Sequence, residues 1–226
     1  MKALIVCTNQ GQYPGKSTQT GIWLNEVTHF FEVLNKKKVL IDIVSPLGGT
    51  IPIDPRSKEG KDELNHKYMA DAEWNKRLEK SLSPQDIHPS DYRLIYFAGG
   101  PGSMWDLPHQ ATLAAIALEI YQRGGHITAV GHGVAGLLPI MLDHGVPFIA
   151  DKYLTGFTNL EDKLVSFLSD TPFSLEDSLK QKGAHFTKSV LPFLEHIELD
   201  ERLITGQNPQ SAYKVASKAV EELFEK

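Results

Sequence analysis

Four short apolar runs, Lys2 to Cys7, Val39 to Val44, Leu94 to Phe97 and Ile127 to Val130, alternate with stretches of helical periodicity. Strands written as near-continuous apolar runs are buried on both faces, so the alternation predicts an α/β fold: a mostly parallel central sheet with helices on both sides. Leu24 to Asn35 and Thr112 to Arg123 read as helices, the second closed by Gly124-Gly125 in a left-handed cap. Further along, Tyr153 to Gly156 reads as a short strand, Glu161 to Leu168 and Leu175 to Lys182 as helices. Ile197 to Leu199 and Leu203 to Thr205 read as strands around an Asp200-Glu201 turn. Ala212, Val215, Ala216, Ala219, Val220, Leu223 and Phe224 then fall at helical spacing and predict a closing helix.

At 226 residues and 41% hydrophobic content, one well-filled domain is the economical reading. Residues 52–89 break the pattern: a polar, charged stretch opening at Asp54-Pro55-Arg56-Ser57 and ending at Ser83-Pro84 predicts one or two surface helices inserted between strands. No apolar stretch reaches membrane-spanning length, and the first run is too short for a signal sequence. The lone cysteine, Cys7, excludes an internal disulfide and a cysteine-based zinc cluster. A cytoplasmic location is the expectation. The formal charge of -5 is spread along the chain and leaves no footprint for nucleic acid or an anionic membrane; the basic run Lys36-Lys37-Lys38 reads as a solvated turn.

The chemistry concentrates at Ile127-Thr128-Ala129-Val130-Gly131-His132-Gly133-Val134-Ala135-Gly136-Leu137, an apolar strand running through small residues into a predicted helix. This is the grammar of a nucleophile elbow, in which the central residue carries the attacking atom and sits in strained backbone angles. Here that residue is Gly131. A side chain at such a bend stores roughly 1–3 kcal/mol of strain, which glycine relieves while removing the nucleophile.

Ala98-Gly99-Gly100-Pro101-Gly102-Ser103-Met104-Trp105-Asp106, Thr20-Gly21-Ile22-Trp23-Leu24-Asn25-Glu26, Phe157-Thr158-Asn159-Leu160-Glu161 and Leu203-Ile204-Thr205-Gly206-Gln207-Asn208-Pro209 join the elbow. Together these segments resemble the ThiJ/PfpI superfamily, in its heat-shock chaperone and glyoxalase III-like branch, within the class I glutamine amidotransferase-like (flavodoxin-like) fold. The resemblance spans nearly the whole chain. It implies that the family's nucleophilic cysteine falls at Gly131, its neighbouring histidine at His132, its acid or base glutamate at Glu26, and its third acid at Glu161 or, failing that, Asp162. It further implies that backbone N–H groups of Gly100 and His132 stabilise an oxyanion, that Gly102 belongs to the same turn, and that Trp23 and Trp105 border the pocket. The family's Gly-Gly-His-Gly turn is Gly99-Gly100-Pro101-Gly102 here, a second departure.

Such a site supports attack of a thiolate on an aldehyde or acyl carbon, with Glu26 managing the proton. The expectation is therefore a stress-response protein that has lost the usual cysteine chemistry. Two alternatives stay open: an active enzyme on reactive carbonyls (methylglyoxal to lactate) or small amides through Cys7, His132 or a metal-bound water (Ser103, in the neighbouring turn, would need an adjacent base), and a chaperone or interaction scaffold. A small carbonyl-containing ligand, a homodimer and no cofactor are implied by the resemblance. Gly11-Gln12-Tyr13-Pro14-Gly15-Lys16-Ser17 imitates a phosphate-binding loop with one residue too few between its glycines. The remaining histidines (His29, His66, His88, His109, His126, His144, His185 and His196) show no ligand spacing, so no metal site is expected.

Overall fold

The computed structural model describes residues 1–165 and 171–224. The strands are β1 (Lys2–Val6), β2 (Leu40–Val44), β3 (Tyr92–Phe97), β4 (His126–Val130), β5 (Tyr153–Leu154), β6 (His185–Phe186), β7 (Ile197–Asp200) and β8 (Leu203–Gly206). The helices are α1 (Leu24–Lys36), α2 (Glu63–Met69), α3 (Ala72–Glu79), α4 (Ser103–Asp106), α5 (Ala111–Gln122), α6 (Asn159–Leu164), α7 (Leu175–Gln181) and α8 (Ala212–Phe224). Six strands form one sheet in the order β2-β1-β3-β4-β8-β7, parallel except for the β7–β8 pair at one edge.

Both faces of this sheet are covered, which is why its strands carry no polar alternation. Within β1 and the residue after it, Ala3, Ile5 and Cys7 enter a core shared with Val27 and Phe30 of α1 and Val215 and Ala219 of α8. Leu4 and Val6 enter the opposite core with Leu113, Ile116 and Ile120 of α5. Each large apolar side chain taken fully out of water in these layers contributes roughly 1.5–3 kcal/mol, so the strand ends form a rigid platform.

The expected strands and helices recur within a residue or two. Gly124, at φ +83°, supplies the left-handed cap after α5, its N–H donating to the Tyr121 carbonyl. Three details differ. The strand expected at Tyr153 to Gly156 is cut to two residues, because β5 pairs with β6 in a separate ladder instead of joining the main sheet. The helix expected from Glu161 to Leu168 begins at Asn159, and residues 166–168 lie outside the described residues. After β4 the chain makes a 3-10 turn, Gly131–Leu137, where a regular helix was expected.

In the stretch 52–89, Asp62 and Asp71 cap α2 and α3 by accepting backbone N–H groups. Tyr68 and Trp74 from these helices pack against Phe31 on the outside of α1, with ring centres 5.5 and 4.8 Å away. Strand order reverses around β1, and α/β sheets of this kind bind ligands beyond the carboxyl ends of strands at such a reversal. There the loops after β3 and β4 meet the first turn of α1.

Candidate active site

β4 ends in a backbone that turns sharply at Gly131, φ +56°. A residue with a Cβ pays about 1–2 kcal/mol in that left-handed region, and glycine adopts it freely. The turn stays tight because Gly133 presses against the end of β3: a Cβ there would lie 2.7 Å from the Ala98 carbonyl carbon.

Glu26 faces this bend from α1, and three bonds fix it. Trp23 N–H donates to the Gly99 carbonyl at 2.9 Å, the Tyr96 hydroxyl donates to the Glu26 backbone carbonyl at 3.0 Å, and Gly99 N–H donates to Glu26 Oε2 at 2.9 Å. A Cβ built on Gly131 would fall 2.7 Å from Glu26 Oε1 and 3.3 Å from Oε2. The carboxyl therefore points at the place where a side chain at position 131 would begin. Glu26 is 1% exposed. Burial pushes its pKa up to about 8, and the Gly99 N–H offsets only part of that. At neutral pH the group is mostly a carboxylic acid able to donate a proton, and slightly above it a base.

His132 follows the bend, and its Nε2 lies 2.9 Å from Asp162 Oδ1, both side chains buried. The acid beside the histidine is thus Asp162, and the preference for Glu161 is corrected. Glu161 instead closes a capping box: its Oε2 accepts from the N–H and hydroxyl of Thr158, and the Thr158 hydroxyl accepts from Glu161 N–H. Its Oε1 accepts from Phe193 N–H at 2.8 Å and from the Gln207 and Asn208 side-chain amides at 2.9 Å each. With helix α6 capped this way, the next residue, Asp162, turns toward His132.

Glu26 and His132 open into a cavity of about 90 Å³ walled by Trp23, Pro101, Phe157, Val165, Phe193 and Pro209, with Gly100 and Gln210 completing it. Gly100, at φ +121°, brings the loop after β3 so close to α1 that a Cβ would meet the Gly21 carbonyl and Trp23 N. Two expected members lie elsewhere. Gly102 packs under the Gln10 carbonyl, and Trp105 sits edge-on to Tyr13, ring centres 5.4 Å apart; neither lines the cavity. Phe157, Val165, Phe193 and Pro209 were not singled out from the sequence. Phe157 and Pro209 were within reach of it, since each lies in one of the segments that carry the resemblance; the Phe157 ring lies 4.4 Å from the His132 ring.

The alternative nucleophiles fare unequally. Cys7 is fully buried in the core, and desolvation, then the charge of Asp106, push its thiol far above the ordinary range. The Ser103 hydroxyl is buried and donates to the Ala98 carbonyl. Gly11 to Ser17 forms a surface loop closed by the Tyr13 N–H to Thr18 carbonyl bond, with no helix opening behind it as a phosphate cradle requires. Among the described residues, no three His, Cys, Asp or Glu side chains group as metal ligands, and no helix is long and apolar enough to cross a membrane.

The chain as a whole is similar in sequence and fold to several named proteins. The glutathione-independent glyoxalase HSP31 of Saccharomyces cerevisiae is 31% identical over 98% of both chains. Among solved structures, the Francisella tularensis Rapid Encystment Protein 24 kDa superposes with a TM-score of 0.95 at 39% identity, covering 99% of each chain. Glyoxalase III of Candida albicans superposes with a TM-score of 0.85 at 28% identity, covering 97% of this chain and 96% of its own. The model of the DJ-1/PfpI family matches residues 19–222, which include Glu26, the Gly131 bend and the His132–Asp162 pair, and the chain belongs to that family.

Proposed function

We propose that this chain is a stress-response protein of the glyoxalase III/HSP31 type that takes small 2-oxoaldehydes into the Glu26–His132 cavity without attacking them through a nucleophile of its own. The observation that carries the reading is the carboxyl of Glu26 aimed, at 2.7 Å, on a Cβ position that Gly131 leaves as hydrogen. The relatives named as glyoxalases supply the ligand class, and a cavity of about 90 Å³ suits a compact carbonyl compound. In this reading the protonated Glu26 donates to a ligand oxygen, and the apolar walls exclude competing water. Incubating the purified protein with methylglyoxal and following D-lactate tests it: binding without turnover is expected, and robust turnover of the free aldehyde would sink it.

A second reading, an active enzyme on reactive carbonyls, draws support from the same carboxyl, whose pKa of about 8 fits proton transfer near neutral pH. The family resemblance also supports pairing of two copies of the chain, which light scattering on the eluting protein would read directly.

A further inference from the structure

One wall of the cavity is built unlike the others. Trp23 opens α1, Pro101 leads into α4, Pro209 leads into α8, and Phe157 is tied by its N–H to the Gly131 carbonyl at 3.3 Å. Phe193 comes instead from the strap between β6 and β7, residues 187–196, which contains no helix or strand. Its φ is +60°, in the left-handed region that a bulky side chain enters only where its surroundings force it. The other non-glycine residues with such a φ among the described residues, Lys38, His144, Asp151 and Glu201, are exposed and lie outside the cavity wall. Resting on the reading that the cavity receives small 2-oxoaldehydes, we propose that Phe193 is a specificity-determining residue: its ring, held inward by the strained strap, restricts the ligand class to 2-oxoaldehydes with a methyl-sized end.

The strap is pinched at its ends, where Thr187 Oγ1 and His196 Nε2 lie 2.9 Å apart. Between them Ser189 N–H donates to Gln207 Oε1, Phe193 N–H donates to Glu161 Oε1, and the Leu194 carbonyl accepts from the Asn208 side-chain amide, each at 2.8 Å. Bonds on both sides of the Phe193 Cα thus hold the backbone in its costly conformation. The ring then lies toward Phe157, their centres 6.3 Å apart. Val190, Leu191 and Leu194 of the same strap are exposed, whereas Phe193 packs inward against the core. A cavity of about 90 Å³ leaves a ligand little space beyond its carbonyl pair. Truncating Phe193 would add a phenyl ring's worth of space without changing a residue of the sheet, of α1 or of the Gly131 bend.

The test titrates the full chain, by calorimetry, with two hydroxyketones that stand in for the reactive aldehydes: hydroxyacetone, which ends in a methyl group, and 2-hydroxyacetophenone, which ends in a phenyl group. The wild type is expected to bind hydroxyacetone about tenfold or more tightly than the phenyl compound. Phe193→Ala is expected to move that ratio about a hundredfold toward the phenyl compound, with Phe193→Leu falling between. A general loosening of the fold weakens both ligands together and leaves the ratio where it was, so the ratio separates a wall from a merely structural residue. Where Phe193→Ala fails to fold, the Phe193→Leu ratio decides. Equal binding of the two ligands by the wild type, or a ratio that truncation leaves unchanged, overturns the proposal and leaves the binding reading standing. Binding of neither ligand by the wild type overturns both.

Discussion

Two buried glutamates, Glu26 at the bend and Glu161 at the start of α6, are 1% and 0% exposed and have opposite surroundings. Glu161 accepts from five donors across four residues, Thr158, Phe193, Gln207 and Asn208, and ties together the segments that carry two cavity walls. Glu26 accepts from Gly99 N–H, and its other oxygen faces the bend. Burial alone therefore does not mark a reacting group. A carboxyl surrounded by donors holds shape, whereas one buried with little compensation keeps its proton near neutral pH and is poised to trade it.

The sharpest way to break this contrast is to remove each carboxyl in turn. Glu161→Ala strands buried donors from Phe193, Gln207 and Asn208, and is expected to cost about 3 kcal/mol or more in denaturant unfolding; a loss under about 0.5 kcal/mol would show that the hub does not hold the corner together. Glu26→Gln should behave otherwise. Because the folded pKa of Glu26 is raised from 4.5 to about 8, its contribution to stability is complete below 4.5 and is lost as pH climbs to about 8. The wild type should weaken across that window and the Gln variant should show a flatter profile, read by chemical unfolding at several pH values; identical profiles would mean that burial does not hold the proton on Glu26.

A smaller effect is expected at the bend. Gly131→Cys places a side chain at φ +56° and a Cβ 2.7 Å from Glu26 Oε1, so the carboxyl must shift. It should lower stability by about 1–2 kcal/mol and bring D-lactate formation from methylglyoxal without added thiol. A folded variant with no such activity would mean that more than a nucleophile is missing. Smallest of all, Cys7→Ala should cost roughly 1 kcal/mol through a small loss of packing and leave hydroxyacetone binding unchanged by tryptophan fluorescence; altered binding would place Cys7 in communication with the cavity.

The contrast also explains what could be read before the coordinates. The parallel strands were legible because local apolar runs specify them, and Gly131 because it sits in a short strand-to-turn segment whose meaning is local; Glu26 was legible only through the family resemblance, since helical spacing alone reads it as a solvent-facing charge. Thr158-Asn159-Leu160-Glu161 was legible too, as the Thr-x-x-Glu signature of a capping box, and that signal would have assigned Glu161 to the helix start and passed the histidine to Asp162. Phe193 was not legible. It enters the cavity from a loop through its N–H bond to Glu161, thirty-two positions away, and no periodicity encodes that contact. Trp105 differs for the converse reason: a neighbour of the glycine turn along the chain, it is drawn off by Tyr13, a contact that no local pattern encodes.

The depth at which Cys7 lies has a consequence for durability. An exposed, reactive cysteine is ordinarily open to poisoning, since a sulfur that reacts usefully is also one that is alkylated or over-oxidised. Here the sole sulfhydryl is sealed inside folded protein and held as the unreactive thiol. Thiol-blocking reagents should leave the native chain unmarked and label it only as it unfolds, so the rate of labelling reads out opening of the core around β1.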